Sequence, residues 1–351
     1  MNENNIEFSV HDTAGLVVLN RPKALNALDF DMAVALRQQL DNWAQDDAIS
    51  HVVMSGNGGR AFCAGGDVRA LYAMIDAGRQ HQVPVFFQAE YMVDVTVAEF
   101  PKPIISLANG VVMGGGAGLM QASAHAVVTE TTKFAMPESA IGLFPDAGAS
   151  VFFGRCARPI ARFLGATGQI ITGADCLMLG LASAMCLSDR LDELQTALLA
   201  CSANEIDTVL AGFRHDPGPA PLQANRAAIS YIFGDDNALN IVQRAKDMAE
   251  LKNDTFARDV HQTLTTRCPM SIRVFLRLLE LADEFTDMTE GLMLDYHLAI
   301  RMTERADFKE GIRAVLVEKT NDAKWYPADL TEVTEAMVDA VFDHDDLPPL
   351  R

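Results

Sequence analysis

The sequence is poor in basic residues: 28 lysines and arginines stand against 47 aspartates and glutamates, giving a formal charge of −19. Because nucleic acids bind basic surfaces, we expect no nucleic-acid partner. No long uninterrupted apolar run is present, so we expect no membrane span. The opening segment, MNENNIEFSV, lacks the basic and apolar regions of a secretory leader. We therefore expect a cytoplasmic protein, or a mitochondrial matrix protein if a leader has been removed.

Cysteine pairs and several common catalytic motifs are also missing. The six cysteines are scattered without a CxxC pair, which predicts neither a disulfide framework nor a zinc site. There is no G-x-S-x-G serine elbow, no H-E-x-x-H motif and no Walker A loop. The glycine run 114–118 lacks the G-x-G-x-x-G spacing of a dinucleotide site because Leu119 stands at the third position. We expect no bound metal.

Short apolar runs alternate with helical spacings in the first half of the chain, which predicts mixed α/β structure. Strands are predicted at residues 16–19, 52–54, 104–107, 126–129 and 133–135. A helix is predicted over residues 29–43, with Asp29 as its N-cap. Its apolar face would be formed by Met32, Leu36, Leu40 and Trp43.

Helical spacing takes over from about Leu191, and two amphipathic helices are predicted at residues 271–285 and 289–305. We therefore predict a core domain over residues 1–200, which carries binding and catalysis, and a mainly helical region over residues 201–351 packed on it.

Two glycine-rich loops carry the first chemical signal. Gly65–Gly66–Asp67 and Gly114–Gly115–Gly116 each follow an apolar run, and the second opens a predicted helix. Glycine allows a ligand to approach backbone N–H groups closely, and a helix start favours negative charge. The two loops could converge as an oxyanion hole, although a single glycine cluster taken alone favours a tight turn between a strand and a helix.

Four segments in order resemble the signature segments of the crotonase (enoyl-CoA hydratase/isomerase) superfamily. They are RPKALNAL (residues 21–28), AFCAGGDVR (61–69), NGVVMGGGAGL (109–119) and FAMPESAIGLFPDAGAS (134–150). The resemblance implies an α/β fold, a ClpP-like spiral of ββα turns with a helical C-terminal region. It also implies an acyl-CoA thioester as substrate, with no separate cofactor because CoA belongs to the substrate.

The same resemblance implies a set of site residues. The thioester oxygen would be held by the backbone N–H groups of Gly66 and Gly115. Coenzyme A would lie along a further set of positions: Lys23, Ala24, Leu25, Ala64, Asp67, Val68 and Lys319. The acidic chain needs local basic groups for the CoA phosphates, and the candidates are Arg21, Lys23, Arg60, Arg69 and Lys319.

The acid–base residues indicate which branch of the superfamily is nearest. Hydratases place a glutamate at the position of Gly118 and a second one at the position of Glu138. Here the first is missing, and Asp146 follows Glu138 by eight residues. This pattern resembles the 3-hydroxyisobutyryl-CoA hydrolases, as do the segments 307–319 and 324–334, and it implies a role in valine breakdown.

The resemblance implies that Glu138 activates a water molecule or attacks the thioester itself, and that Asp146 binds the substrate hydroxyl. The alternative for Asp146 is an N-cap of the turn that follows it. For the whole chain, the alternatives are a hydratase or isomerase and a non-catalytic CoA-binding protein. Homo-oligomer formation through the C-terminal helices is possible.

Overall fold

The computed structural model describes residues 5–350. The first four residues of the opening segment, on which the expectation about a leader partly rests, lie outside this range. The described chain forms ten strands: β1 (Ile6–His11), β2 (Ala14–Leu19), β3 (His51–Gly56), β4 (Ala61–Cys63), β5 (Ile104–Ala108), β6 (Val111–Met113), β7 (His125–Val128), β8 (Lys133–Ala135), β9 (Ile171–Thr172) and β10 (Ala184–Met185).

Helices account for most of the remaining secondary structure, and they dominate after residue 190. They are α1 (Phe30–Gln45), α2 (Val68–Asp76), α3 (Val83–Ala98), α4 (Gly115–Ala122), α5 (Ala149–Gly154), α6 (Arg158–Thr167), α7 (Gly173–Met178), α8 (Leu191–Leu199), α9 (Ile206–Phe213), α10 (Arg226–Ile232), α11 (Ala238–Leu251), α12 (Thr255–Thr266), α13 (Pro269–Leu281), α14 (Met288–Thr303), α15 (Ala306–Ile312) and α16 (Glu335–Phe342). None of the helices in residues 5–350 is long and apolar enough to cross a membrane. The predicted α/β class with a helical C-terminal region is confirmed.

Two β-sheets belong to the first of two compact units, which comprises Met1–Asp67, Ala89–Ala135 and Ile171–Pro221. The larger sheet has the order β1-β2-β3-β5-β7-β10 and is parallel except for the β1–β2 hairpin. The smaller sheet has the order β4-β6-β8-β9, with β4, β6 and β8 parallel. Because parallel neighbours end at the same sheet edge, the loops that leave β4 and β6 start side by side.

The core of this unit is built as the sequence pattern predicts. Apolar side chains of the larger sheet pack against Leu194 and Leu198 of α8 and Ile206 of α9. The sheet residues of this cluster include Leu16, Val53, Ile105, Leu107 and Val127. Helix α1 buries Met32, Leu36, Leu40 and Trp43, and the Asp29 side chain accepts a hydrogen bond from the Met32 backbone N–H. The predicted helix and its N-cap are therefore confirmed.

The second unit comprises Val68–Gln88, Met136–Ile170 and Leu222–Arg351 and is helical. Helices α6 and α13 pack closely because Gly165 offers no side chain, and a Cβ there would lie 2.0 Å from the Phe275 ring. The two predicted C-terminal helices are confirmed as α13 and α14. Helix α13 ends at Leu281 rather than at residue 285, because a 3-10 turn over Ala282–Glu284 follows it. The predicted division at residue 200 stays a prediction.

Candidate active site

The segment around residues 22–28 and the first glycine loop are joined backbone to backbone. Pro22–Ala24 form a 3-10 turn that ends at Leu25, whose φ of 52° is left-handed. Ala64 N–H then donates to the Leu25 carbonyl at 3.0 Å, and Leu28 N–H donates to the Gly65 carbonyl at 2.8 Å. The structure therefore brings most of the predicted CoA-lining positions together: Lys23, Ala24, Leu25, Ala64 and Asp67.

The buried side chain of Asn26 stabilises this arrangement. It is fully buried with a φ of 57°, a conformation that asparagine tolerates better than most residues. Its amide group donates to the Asn57 and Ala61 carbonyls at 3.0 and 2.8 Å, and its carbonyl accepts from Arg21 N–H at 2.9 Å. One side chain therefore satisfies backbone groups of three segments.

The two glycine loops meet, as their origin on neighbouring parallel strands requires. A Cβ on Gly65 would lie 3.0 Å from the Met113 carbonyl oxygen and 3.2 Å from Gly115 N. A Cβ on Gly115 would lie 3.6 Å from Gly66 N. Gly115 is the first residue of α4, where backbone N–H groups have no acceptor within the helix. The geometry is compatible with an oxyanion hole formed by Gly66 and Gly115.

Glu90 is a residue of this site that the sequence reasoning missed. It lies on α3 and is only 5% exposed. Its carboxylate oxygens would be 2.6 and 2.7 Å from a Cβ on Gly66, and Oε1 would be 2.3 Å from a Cβ on Gly115. The absence of side chains at both glycines is therefore what makes room for this carboxylate.

A second acidic residue of α3, Asp94, is also buried and stands one helical turn after Glu90. Burial raises the pKa of the Cys63 thiol to about 12, and the charges of Glu90 and Asp94 add to the effect. The cysteine that ends β4 is therefore a protonated core residue. Two acids four residues apart in the largely apolar α3 are the sequence signal that would have indicated a polar site.

Glu138 lies in the second unit, at the start of a 3-10 turn over Glu138–Ala140, and is 6% exposed. The turn is held from both sides. The Ser139 carbonyl accepts a hydrogen bond from Cys268 N–H at 2.9 Å, and the Ser139 hydroxyl donates to the Ala166 carbonyl at 3.2 Å. The predicted acid–base residue is therefore a buried carboxyl group on a backbone fixed by the segments that begin α13 and end α6.

Asp146 lies eight residues further on and is also 6% exposed. The N-cap of α5 is Gly148, and the alternative role of Asp146 as a cap of the turn over residues 146–148 stays a prediction. Ala147 and Gly148 have φ of 51° and 79°. Two consecutive left-handed residues form a sharp turn that sets the direction of the preceding aspartate.

Of the five predicted basic contacts for CoA, Arg21 is paired with carboxylates, whereas Lys23, Arg60, Arg69 and Lys319 are exposed. Arg21 lies 2.9 Å from Asp67 and 3.5 Å from Asp29, so its charge is already balanced by carboxylates. Lys23 and Lys319 are exposed, and Lys319 has a φ of 59° just after a π-helical turn over Arg313–Val317. Val68 is the first residue of α2.

The hydratase position carries no acid, since Gly118 is a buried residue of α4. Within residues 5–350, no group of three or more histidine, cysteine, aspartate or glutamate residues is arranged to hold a metal ion.

The chain matches known proteins over nearly its whole length. A family model described as enoyl-CoA hydratase/isomerase matches residues 14–342. A curated relative from Danio rerio, 3-hydroxyisobutyryl-CoA hydrolase, mitochondrial, is 35% identical over 337 residues, which cover 94% of this chain and 87% of the relative. 

Solved structures give the same result for the fold. The crystal structure of a carnitinyl-CoA dehydratase from Mycobacterium thermoresistibile has a TM-score of 0.91 at 32% identity and covers 99% of both chains. That of an enoyl-CoA hydratase from Rhodobacter sphaeroides has a TM-score of 0.91 at 30% identity and covers 99% of this chain and 100% of the other. The chain therefore belongs to the enoyl-CoA hydratase/isomerase (crotonase) family.

Proposed function

We propose that this protein is a thioester hydrolase that converts 3-hydroxyisobutyryl-CoA and water into 3-hydroxyisobutyrate and CoA, a step of valine breakdown. The observation that carries the proposal is the pair of buried carboxyl groups at Glu138 and Asp146, combined with glycine at position 118. The name of the Danio rerio relative supports the same substrate.

In the proposed reaction, the thioester oxygen accepts hydrogen bonds from the N–H groups of Gly66 and Gly115. These donors stabilise the negative charge that develops when the carbonyl carbon becomes tetrahedral. Glu138 either takes a proton from the attacking water or attacks the carbonyl itself and forms an anhydride that water then opens. The carbon–sulfur bond breaks, and CoA leaves as its thiol after taking up a proton.

Asp146 is proposed to accept a hydrogen bond from the substrate 3-hydroxyl group. A buried site built for a hydroxyl rejects an analogue that lacks it by a large factor, because the site's own polar group is then left without a partner. Glu90 is a further candidate for substrate contact, since its carboxylate lies against both glycines of the proposed oxyanion hole.

The CoA portion is proposed to run along the Pro22–Leu25 turn and the Ala64–Asp67 loop, which hydrogen bond to each other. Lys23 and Lys319 are the exposed cations proposed to meet its phosphates. No cofactor or metal has a role in this proposal. We also propose a homo-oligomer in a reducing compartment, the cytoplasm or the mitochondrial matrix, and light scattering of the purified protein tests the assembly.

The second candidate function is hydration or isomerisation of an enoyl-CoA. It is supported by the two solved relatives with TM-scores of 0.91, one a carnitinyl-CoA dehydratase and the other an enoyl-CoA hydratase. Gly118 speaks against a hydratase that uses two glutamates, whereas an isomerase can act with Glu138 alone.

One experiment separates the two functions. Purified protein is given 3-hydroxyisobutyryl-CoA and, in parallel, an unsaturated enoyl-CoA, and both thiol release and double-bond loss are followed. Hydrolase activity predicts rapid thiol release that is lost in Glu138→Gln and kept in Glu193→Gln, a matched change at an exposed position. Turnover of the enoyl-CoA without thiol release would overturn the proposal in favour of the second function.

A further inference from the structure

Asp295 is a buried carboxyl group that the proposed reaction does not use. It lies in the middle of α14 and is fully buried. Its Oδ2 accepts a hydrogen bond from Gly148 N–H at 2.8 Å. Its Oδ1 is also buried and has no hydrogen-bond partner among residues 5–350. Burying a carboxyl group whose oxygen has no hydrogen-bond partner lowers the stability of the fold, so a functional reason for this residue is expected.

The contacts of α14 suggest that role. Met288, Gly291 and Asp295 are spaced by three and four residues and therefore share one helix face. A Cβ on Gly148 would lie 2.6 Å from the Met288 side chain, and a Cβ on Gly291 would lie 2.6 Å from Val151. This face of α14 therefore packs along the turn at Gly148 and the start of α5.

The turn needs such support. Ala147 has a φ of 51°, in the left-handed region that costs a non-glycine residue roughly 1 kcal/mol. Gly148 follows with a φ of 79°, and its N–H donates the hydrogen bond that Asp295 accepts. The aspartate of α14 thus fixes the backbone two residues after Asp146.

We propose that Asp295 is a positioning residue, which anchors the Asp146–Ala147–Gly148 turn to α14 and so sets the place of Asp146. The inference rests on the proposed function, in which Asp146 binds the substrate hydroxyl. Asp295 itself contacts neither the substrate nor the reacting atoms.

Electrostatics support this geometry. Burial raises the pKa of Asp295 well above its ordinary value, and the nearby charge of Asp146 raises it further, while the Gly148 N–H acts in the opposite direction. Burial and the neighbouring carboxyl group both favour the neutral form of Asp295. Ionisation of Asp295 as the pH rises would put a negative charge beside Asp146 and disturb the hydroxyl site.

The other charged groups of α14 and of the helices packed against it have interaction partners of their own. Helix α5 has no titratable residue, and those of α15 and α16 form ion pairs: Asp307 with Arg305, Lys309 with Asp76, Glu310 with Arg313, Glu335 with Arg273, and Asp339 with Arg277. On α14 itself, Glu290 accepts from Thr286 N–H, His297 contacts the Pro348 carbonyl and Arg301 pairs with Asp346. Asp146 is a neighbouring carboxyl group that raises the pKa of Asp295.

The test uses Asp295→Asn and Asp295→Leu in the full-length protein. Asparagine keeps an acceptor for Gly148 N–H and a donor on the other atom but cannot ionise, whereas leucine keeps only the volume. We expect Asp295→Leu to lower kcat for thioester cleavage by roughly 100-fold, because a displaced Asp146 no longer holds the substrate hydroxyl, and with it the thioester, in the reacting geometry. Asp295→Asn is expected to stay within about threefold of the parent at neutral pH and to lose the alkaline fall in kcat.

The matched control is Asp307→Asn, because Asp307 is also a buried acid that accepts from a backbone N–H, that of Tyr326 at 2.7 Å. It is expected to leave the pH profile of kcat unchanged. An alkaline fall that persists unchanged in Asp295→Asn would overturn the proposal.

A second readout does not depend on activity and covers the case in which Asp295→Leu fails to fold. The infrared band of a protonated carboxylic acid is followed against pH in the parent protein and in Asp146→Asn. We expect a band at neutral pH that is absent in Asp295→Asn, and whose loss moves to lower pH in Asp146→Asn. If the protein cleaves no thioester, the proposed function fails, but the infrared band still tests whether Asp146 and Asp295 interact. A band whose titration midpoint is the same in the parent and in Asp146→Asn would refute that interaction.

Discussion

Gly115 and Glu90 are packed so closely that a Cβ on the glycine would lie 2.3 Å from Oε1 of the glutamate. The contact joins the start of α4 to the middle of α3 at the proposed oxyanion hole. It predicts that the smallest possible side chain at position 115 disturbs the site, although the backbone of this residue does not need glycine for its φ.

We expect Gly115→Ala to lower kcat/KM for the thioester by roughly 100-fold, the usual effect of losing one oxyanion donor. The reason is that the new methyl group displaces Glu90 and the donor N–H beside it. Steady-state thiol release measures the loss. Gly212→Ala is the matched control, because a Cβ at this helical position meets nothing within 4 Å, and it should leave the rate unchanged. Equal rates for both variants would contradict the assignment.

The second prediction concerns substrate preference. Asp146→Asn removes a charged acceptor for the substrate hydroxyl, and a hydrogen bond to a charged group contributes about 1.5–3 kcal/mol. We expect the ratio of kcat/KM for 3-hydroxyisobutyryl-CoA over isobutyryl-CoA to fall by roughly 10–100-fold. Competition between the two substrates gives this ratio directly. A variant that slows both substrates equally would assign Asp146 to the chemical step rather than to the hydroxyl.

The third prediction follows from the raised pKa of Asp295. Its pKa in the folded protein is raised above the ordinary 3.8, so the folded state holds a proton that the unfolded state releases as the pH rises. The parent protein therefore loses stability relative to Asp295→Asn as the pH rises above about 4, by about 1.4 kcal/mol per pH unit until the folded pKa is passed.

Urea unfolding at several pH values measures this difference. Asp41→Asn serves as the control for the loss of one exposed carboxyl group. A raised pKa of Asp295 would be contradicted if the stability difference between Asp295→Asn and the parent stayed constant from about pH 5 to about pH 8.

The fourth prediction concerns the scaffold of the CoA-lining segments. Asn26→Ala leaves buried carbonyls and an N–H without their partners, so we expect a loss of roughly 3 kcal/mol in the free energy of unfolding. Asn253→Ala is the matched control, because Asn253 also has a positive φ, 50°, but is exposed. Its loss should be below about 1 kcal/mol. Chemical denaturation of both variants checks the difference.

Local features were predictable from the sequence because they depend on neighbouring residues. The helix after Asp29 followed from apolar spacing and an N-cap, and the meeting of the glycine loops followed from two short apolar runs that precede them. The β1–β2 hairpin was only half predicted, since β1 buries little more than Ile6 and its polar face hides the strand pattern.

The missed site residues share a physical cause. Glu90 meets Gly66 and Gly115 only because the fold packs the middle of α3 against both loops, a long-range contact that spacing along the chain does not encode. Asp295 stands among apolar residues of an amphipathic helix, and its partner Gly148 is 147 positions away. In both cases a carboxyl group among the apolar positions of a helix was the available signal, and its partner could be identified only in three dimensions.

The division of the chain into two units has a consequence for its synthesis. The first unit is complete once Pro221 has been made, whereas the second needs Val68–Gln88 and Met136–Ile170 together with the last 130 residues. At ordinary translation rates those residues take roughly 10 s to emerge. During that interval, the helices of the second unit that are made first lack the residues that cover their apolar faces. Chaperone contact during synthesis is therefore expected to concentrate on these two stretches.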